Sequence, residues 1–257
     1  MKTILVTGAS SGFGKATALH FAQNGWKVIA WARRLSSMES WRSELAPEVQ
    51  EQVHLSEVDV RELSQVEAAF SALPSAFSSI DVLLNNAGLA AGKDPVHQGL
   101  IDDWERMIDT NLKGLLYVTR TVSPGMVSRG SGHILNIGSI AGKEPYPDGN
   151  VYNATKFGVD GLTTGMRMDL AKFGIKVSQI CPGMVDTEFS EVRFHGDREK
   201  ASAVYHNMTP LMAQDIADLV WYMVNAPKHV NLADVLILPS EQASATIVSR
   251  RGRGLEG

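Results

Sequence analysis

Short apolar runs rich in β-branched residues alternate along this chain with longer amphipathic stretches. This alternation is typical of repeated βα units, in which each strand of a parallel sheet is followed by a covering helix. Strands buried on both faces of such a sheet are short and mostly apolar. The segments that meet this description are predicted as strands: 4–7, 28–31, 53–58, 82–85, 133–137, 176–181 and 235–238.

Amphipathic stretches between the strands predict helices, which are placed at 14–24, 64–77, 103–122, 151–173 and 214–225. The first helix stops at Gly25, which tolerates the positive φ of a helix terminus. Because no linker rich in proline, serine or glycine interrupts the pattern, residues 1–257 are expected to form one domain. The predicted fold class is α/β, a single Rossmann-type doubly wound parallel sheet of about seven strands with helices on both faces.

Composition and charge exclude several classes of partner. A formal net charge of −4 gives no general attraction to nucleic acid or to an anionic membrane. No apolar run approaches the roughly 20 residues that a membrane-spanning helix needs. The single cysteine, Cys181, excludes an internal disulfide and fits a reducing compartment, so a cytoplasmic location is expected. The final arginines are expected to form a solvated terminus: Arg250, Arg251 and Arg253.

A glycine-rich turn follows the first predicted strand and opens the first helix. Gly8 and Gly12 allow a sharp turn and a close approach to a pyrophosphate, while Gly14 allows close helix packing. The free N–H groups at the helix start then face the anion. This pattern predicts a dinucleotide-phosphate site, with a plain structural turn as the alternative. The predicted cofactor contacts are Gly8, Ala9, Ser10, Ser11, Gly12 and Phe13.

Two arginines follow the second predicted strand, Arg33 and Arg34. An NAD-binding enzyme is expected to place an acidic residue here, where it bonds the ribose 2′-hydroxyl. Guanidinium groups instead form charge-assisted bonds to phosphate, so the pair favours the 2′-phosphate of NADP(H) over NAD(H). The alternative is a pair of surface arginines at a helix start.

The segment 183–210 shows neither helical nor strand periodicity, and it is long for a connection in a compact domain. It is predicted to be a lid over the substrate, with a poorly ordered surface loop as the alternative.

Tyr152 and Lys156 lie four residues apart, so a helix places them on one face in adjacent turns. A nearby ammonium favours the phenolate and is expected to lower the pKa of the tyrosine. Ser139 follows the fifth predicted strand, at the sheet edge where ligands of open α/β sheets bind. A Y-x-x-x-K pair alone is common, and only this context makes it a candidate reacting centre.

Several motifs in one order and spacing make the chain resemble the short-chain dehydrogenases/reductases. They are the turn 7–14, the Asn85-Asn86-Ala87-Gly88 run, Asn111, Ser139, and Tyr152 with Lys156. The resemblance spans nearly the whole chain and implies an NADP-dependent oxidoreductase acting on CH–OH groups, with no metal required.

The resemblance implies roles for individual residues. Tyr152 is the general acid/base, Lys156 holds the nicotinamide ribose and lowers the tyrosine pKa, Ser139 orients the substrate oxygen, and Asn111 supports a proton-relay water. Further cofactor contacts are implied at Asp59, Val60, Asn86, Ala87, Gly88, Pro182, Gly183, Val185 and Thr187.

Three segments, 85–90, 104–111 and 187–194, resemble a narrower group, the NADP-dependent 3-hydroxy acid dehydrogenases. The substrates implied are small and anionic: 3-hydroxy acids such as serine, or the matching semialdehydes. Arg193 lies in the predicted lid and is the candidate counter-charge for a carboxylate or sulfonate. The alternative for Arg193 is a solvent-facing side chain on a loop.

Other functions stay open at this stage. A reductase of sulfoacetaldehyde, of a 3-oxoacyl carrier thioester or of a neutral ketone shares the same reacting residues. A non-catalytic NADP sensor has no need of them, and a serine hydrolase is disfavoured because Ser139 is not in a G-x-S-x-G motif. The family resemblance also implies a homotetramer, or less often a dimer, formed through the helices that contain Asp103 and Val151.

Overall fold

The structure, a computed structural model, describes residues 1–250. Its strands are β1 (Thr3–Thr7), β2 (Lys27–Ala32), β3 (Val53–Glu57), β4 (Val82–Asn85), β5 (Gly132–Ile137), β6 (Ile175–Pro182), β7 (Val185–Asp186), β8 (Leu211–Met212) and β9 (Asp234–Ile237). Seven of them form a sheet in the order β3-β2-β1-β4-β5-β6-β9, in which every neighbouring pair is parallel. These seven coincide with the predicted strands, which confirms the predicted sheet.

The helices are α1 (Gly12–Gln23), α2 (Leu35–Ser43), α3 (Pro47–Gln50), α4 (Leu63–Ser71), α5 (Ile101–Ile108), α6 (Leu115–Arg129), α7 (Asn150–Leu170), α8 (Phe189–Arg193), α9 (Arg198–Ala203) and α10 (Ala213–Asn225). The stretch predicted as one helix from 103 to 122 is interrupted by a π-helical segment, Asp109–Gly114. Helix α2 was not predicted because it is mostly polar and buries only Met38 and Trp41.

Two apolar cores cover the two faces of the sheet. Ile4 and Val6 of β1 point into one core with residues of α1, α2 and α10. Leu5, the residue between them, points into the other core with residues of α4 and α6. Alternate side chains of one strand thus bury opposite faces, which explains why the strands are apolar at successive positions.

The strand order reverses direction between β1 and β4. From β1 the chain builds β2 and β3 on one side, whereas β4, β5, β6 and β9 extend on the other. The loops after β1 and β4 therefore diverge at the carboxyl edge of the sheet. In open α/β sheets, this divergence leaves the crevice in which ligands bind.

The segment 183–210 folds into β7, α8 and α9. Helices α8 and α9 span 5 and 6 residues, which is too short to show a helical period in the sequence. At α9 the side chain of Asp197 accepts a hydrogen bond from the backbone N–H of Lys200, at 3.0 Å.

Arg250 departs from the solvated terminus expected of the final arginines. Its guanidinium donates hydrogen bonds to the carbonyls of Val204, at 3.2 Å, and His206, at 2.7 Å. It therefore holds the end of the segment 183–210. Arg251 and Arg253 lie outside the described residues. Within residues 1–250, no helix is long and apolar enough to cross a membrane.

His133 makes the stability of the fold depend on pH. It is 4% exposed on β5, its Nε2 lies 2.8 Å from Ser178 Oγ, and burial, aided by the charge of Lys176, lowers its pKa to about 3. Below the ordinary value near 6.5, the unfolded chain takes up a proton that the folded chain does not, so stability falls as pH falls.

We expect His133→Gln to lose less stability than the wild type between about pH 6.5 and 4.5. The difference is at most about 2.7 kcal/mol, since each pH unit is worth about 1.36 kcal/mol. Urea unfolding at the two pH values measures it, with exposed His97→Gln as the matched control. Equal acid sensitivity in His133→Gln and the wild type contradicts the assignment.

Candidate active site

A cavity of about 540 Å³ occupies the crevice at the carboxyl edge of the sheet. Its walls come from the loops after β1 to β6 and from the segment 183–210. The structure brings these predicted residues together around it: Gly8, Ser10, Ser11, Gly12, Phe13, Arg33, Arg34, Asp59, Val60, Asn86, Ala87, Gly88, Ser139, Tyr152, Lys156, Pro182, Gly183, Val185, Thr187 and Arg193.

The glycine turn has the close packing that the sequence predicts. Gly8 has a φ of +68°, which side chains rarely adopt. A Cβ added to Gly14 lies 2.3 Å from the carbonyl oxygen of Gly8. Helix α1 therefore starts directly on the turn, and its first residues, Gly12 and Phe13, line the cavity. Free N–H groups at a helix start can bind an anion.

Ala9 and Asn111 are absent from the residues that line the cavity. Ala9 is fully buried, and its carbonyl accepts a hydrogen bond from the indole of Trp41 at 3.1 Å. The amide of Asn111, in the π-helical segment, bonds both the N–H and the carbonyl of Leu89, each at 2.9 Å, and donates to Thr155 Oγ1 at 3.0 Å. Its side chain therefore joins the loop after β4 to α7.

The two arginines after β2 lie exposed at one end of the cavity. Arg34 Nη2 donates to Ser11 Oγ and to Glu188 Oε2, each at 2.8 Å. Asp59 is held by Arg61, whose Nη2 lies 2.6 Å from Asp59 Oδ2. Burial raises the pKa of Asp59, but the hydrogen bonds and charge of Arg61 lower it more, so the carboxyl stays ionised.

Tyr152, Lys156 and Ser139 meet at the other end of the cavity, and all three side chains are buried. Lys156 Nζ lies 5.8 Å from the centre of the Tyr152 ring and donates to the carbonyl of Ile137 at 2.8 Å. Ser139 Oγ accepts a hydrogen bond from the N–H of Ala141 at 3.1 Å, which leaves its own proton free to donate.

The expected lowering of the tyrosine pKa is wrong for this structure. Burial raises the pKa of Tyr152 above its ordinary value, and Tyr146 acts in the same direction; hydrogen bonding with Ser139 and the charge of Arg193 offset only part of this. Burial also lowers the pKa of Lys156 to about 8. The sequence-based argument counted the charge of the lysine but not the desolvation of both groups.

Segment 183–210 covers the reacting end of the cavity. The ring of Phe189 packs edge-on against Tyr152, with 5.8 Å between ring centres. The guanidinium of Arg193 lies over the rings of Tyr146, at 5.2 Å, and Tyr152, at 5.8 Å. Arg193 Nε and Nη2 and the Tyr146 hydroxyl are buried and make no hydrogen bond of full geometry. Burial raises the pKa of Tyr146, and the charge and close approach of Arg193 offset part of this rise.

Several lining residues carry no sequence signal. Tyr146 lies in an irregular loop that the motifs do not reach, and Gln242 lies far along the chain from them. Gln242 Oε1 accepts a hydrogen bond from the N–H of Met184 at 2.8 Å, which fixes the start of the covering segment. Only the run 187–194, singled out by resemblance, pointed to Glu188 and Phe189.

The fold, the glycine turn and the Ser139–Tyr152–Lys156 cluster define a nucleotide-dependent dehydrogenase, and comparison with known proteins agrees. The family model for short chain dehydrogenases matches residues 2–198, and the chain belongs to this family of oxidoreductases.

Individual relatives cover almost the entire chain. The NADP-dependent 3-hydroxy acid dehydrogenase YdfG of Salmonella typhimurium is 47% identical over 249 residues, 96% of this chain and 99% of the relative. Sulfoacetaldehyde reductase 2 of Chromohalobacter salexigens is 42% identical and covers 96% of this chain and 98% of its own length. The closed form of serine dehydrogenase complexed with NADP+ superposes with a TM-score of 0.92 at 44% identity, covering 95% of this chain and 98% of that one.

Proposed function

We propose that this chain is an NADP(H)-dependent oxidoreductase that interconverts a small anionic 3-hydroxy acid and the matching semialdehyde. Relatives named NADP-dependent 3-hydroxy acid dehydrogenase support the proposal, since they are 43–47% identical along nearly their full length. The structural observation that carries the choice of substrate is the guanidinium of Arg193 beside Tyr152, whose buried Nε and Nη2 make no hydrogen bond of full geometry with the protein.

The residues of the cavity suit NADP(H). The turn at Gly8 and Gly14 has no space for side chains, so backbone N–H groups can approach a pyrophosphate. Arg33 and Arg34 place positive charge where the 2′-phosphate of the adenosine ribose is expected. When bound, the cofactor supplies hydride to a carbonyl carbon or accepts it from an alcohol. Asp59, Val60, Asn86 to Gly88, and Pro182 to Thr187 line the rest of its path.

Tyr152, Ser139 and Lys156 carry out the proton transfer to the substrate oxygen. The raised pKa of Tyr152 keeps its phenol protonated at neutral pH, so the hydroxyl can protonate the oxygen of a carbonyl substrate. Ser139 donates a second hydrogen bond to that oxygen, where negative charge develops. Lys156 is largely protonated at neutral pH with its pKa of about 8. Its positive charge, 5.8 Å from the centre of the Tyr152 ring, also stabilises the negative charge that develops on the substrate oxygen.

Arg193 and Tyr146 give the substrate end of the cavity its selectivity. Buried donors without partners are costly, so they favour a ligand that satisfies them. A carboxylate or sulfonate accepts from both guanidinium N–H groups and from the Tyr146 hydroxyl, whereas a neutral ketone or an extended acyl thioester leaves the charge unpaired. Sulfoacetaldehyde stays the second candidate because its sulfonate meets the same requirement.

We also propose residues 183–210 as the substrate lid of a single NADP-binding domain, a cytoplasmic location and a homotetramer. Burial raises the pKa of the Cys181 thiol to about 11, which suits a protein with an unreactive free cysteine.

Apolar surface is exposed on the helices around α5 and α7, at Ile108, Leu116 and Phe157. A second copy of the chain can cover this surface, and light scattering measures the resulting mass.

Tyr152→Phe is expected to bind NADPH as the wild type does but to lose turnover about 10²- to 10⁴-fold, since only the proton-donating hydroxyl is removed. NADPH fluorescence titration and steady-state oxidation of NADPH by malonic semialdehyde measure the two effects. Turnover near the wild-type level in this variant would falsify the assigned acid/base role.

Exchange of Arg33 and Arg34 for aspartate is expected to lower the preference for NADPH over NADH by about tenfold or more, because charge-assisted bonds to phosphate are replaced by repulsion. The ratio of kcat/KM for the two cofactors measures the change. Exposed Lys172→Asp, a single charge reversal outside the cavity, leaves the ratio unaltered. An unchanged ratio in the double variant removes both arginines from cofactor selection.

Arg193→Leu is expected to raise the KM for 3-hydroxypropionate about 10- to 100-fold, as two charge-assisted hydrogen bonds are lost. The KM for 1,3-propanediol, a neutral alcohol of the same length, changes little. Equal effects on the two substrates contradict the proposed pairing with an anion.

A further inference from the structure

The carboxylate of Asp103 is buried against the segment that carries Arg193. Asp103 lies in the first turn of α5 and is 4% exposed. Its Oδ1 receives a hydrogen bond from Arg106 Nη1 at 3.3 Å, and its Oδ2 lies 3.1 Å from His195 Nε2. The second contact does not have hydrogen-bond geometry, so it is mainly electrostatic and depends on the charge of the imidazole.

The backbone of Arg193 is also held close to Asp103, through the loop after β4. The carbonyl of Arg193 accepts a hydrogen bond from the N–H of Gly92 at 3.0 Å. A Cβ added to Gly92 lies 3.1 Å from Asp103 Oδ2, so the loop after β4 passes directly over this carboxylate. His195 follows two residues after Arg193 in a turn with a φ of +53°, an unusual conformation for a side-chain-bearing residue.

We infer that His195 and Asp103 are positioning residues that hold the Arg193 guanidinium toward Tyr152 through their ion pair. The inference rests on the proposed role of Arg193 in binding an anion. The ion pair between the imidazole and the buried Asp103 carboxylate closes the turn onto α5. Loss of either partner loosens this turn and therefore weakens the affinity for an anionic substrate.

Several elements around His195 carry charged groups. From α5 these are Asp103 and Arg106, and from the loop after β4 they are Lys93 and Asp94. The covering segment adds Arg193 and two exposed pairs, Asp197 with Lys200 and Glu191 with Arg198. Asp148 lines a small cavity together with Asp103. Of these groups, the Asp103 carboxylate lies within ion-pair distance of the imidazole, at 3.1 Å.

The test compares His195→Gln with the wild type in NADP+-linked oxidation of 3-hydroxypropionate. At about pH 6 we expect the variant to raise the KM about 3- to 10-fold with kcat within about twofold, a loss typical of one partly exposed charged contact. Asp103→Asn is expected to change the KM and kcat in the same way.

Two controls separate positioning from general disturbance of the fold. His206→Gln replaces another exposed histidine of the same segment, and it keeps the wild-type KM. The KM for 1,3-propanediol stays unchanged in every histidine variant, because that substrate has no charge for Arg193. NADPH binding by fluorescence checks that the cofactor end is intact.

The outcomes distinguish this inference from the proposed function. If Arg193→Leu raises the KM for 3-hydroxypropionate but His195→Gln leaves the KM unaltered, the positioning role is wrong and the anion site stands. If Arg193→Leu affects the charged and neutral substrates equally, both proposals fall. A matched KM effect in His195→Gln and Asp103→Asn, confined to the anionic substrate, supports the inference.

Discussion

Hydrogen bonds between Thr7 and Asn86 hold together the two loops that diverge at the switch point of the sheet. Thr7 Oγ1 accepts from the N–H groups of Asn86 and Ala87, each at 3.0 Å, and Asn86 Nδ2 donates to the carbonyl of Thr7 at 2.8 Å. Parallel pairing of β1 with β4 brings these loops side by side, and the bonds fix their separation. The glycine turn and the start of α1 depend on this link, and so does the floor of the cavity.

Burial is the second constraint, and it acts on acid and base alike. The same dry environment raises the pKa of Tyr152 and lowers that of Lys156, so each group shifts toward its neutral form. A neutral phenol is a suitable proton donor to a carbonyl oxygen. A low effective dielectric also strengthens every charge interaction in the cleft, including that of Arg193 with the Tyr152 ring.

The sequence predicts well whatever is local or repeated. Alternating apolar runs located all seven strands of the sheet, and the turn at Gly8 and Gly14 was correctly placed between β1 and α1. Helix α2 was not predicted because its nine residues are mostly polar and only Met38 and Trp41 are buried, which is too few apolar positions to show a helical period. The π-helical segment at Asn111 likewise has no periodicity that distinguishes it from the α-helices on either side.

Contacts between distant segments were beyond a sequence-based argument. The pairing of Arg34 with Glu188 joins residues 154 positions apart, and Tyr146 meets Arg193 only because the covering segment folds back. The direction of the Tyr152 pKa shift also depends on how deeply the ring is buried. Spacing along a helix does not carry that information.

The contact between Arg34 and Glu188 has a consequence for redesign of the protein. Glu188 is adjacent in sequence to Phe189, whose ring packs on Tyr152, so two neighbouring residues connect the opposite ends of the cleft. Replacement of Arg34 to change the coenzyme preference also removes the hydrogen bond to Glu188, which helps to orient the Phe189 ring over Tyr152. Coenzyme choice and substrate scope are therefore not independent variables in this scaffold, and libraries that vary one end need to sample the other.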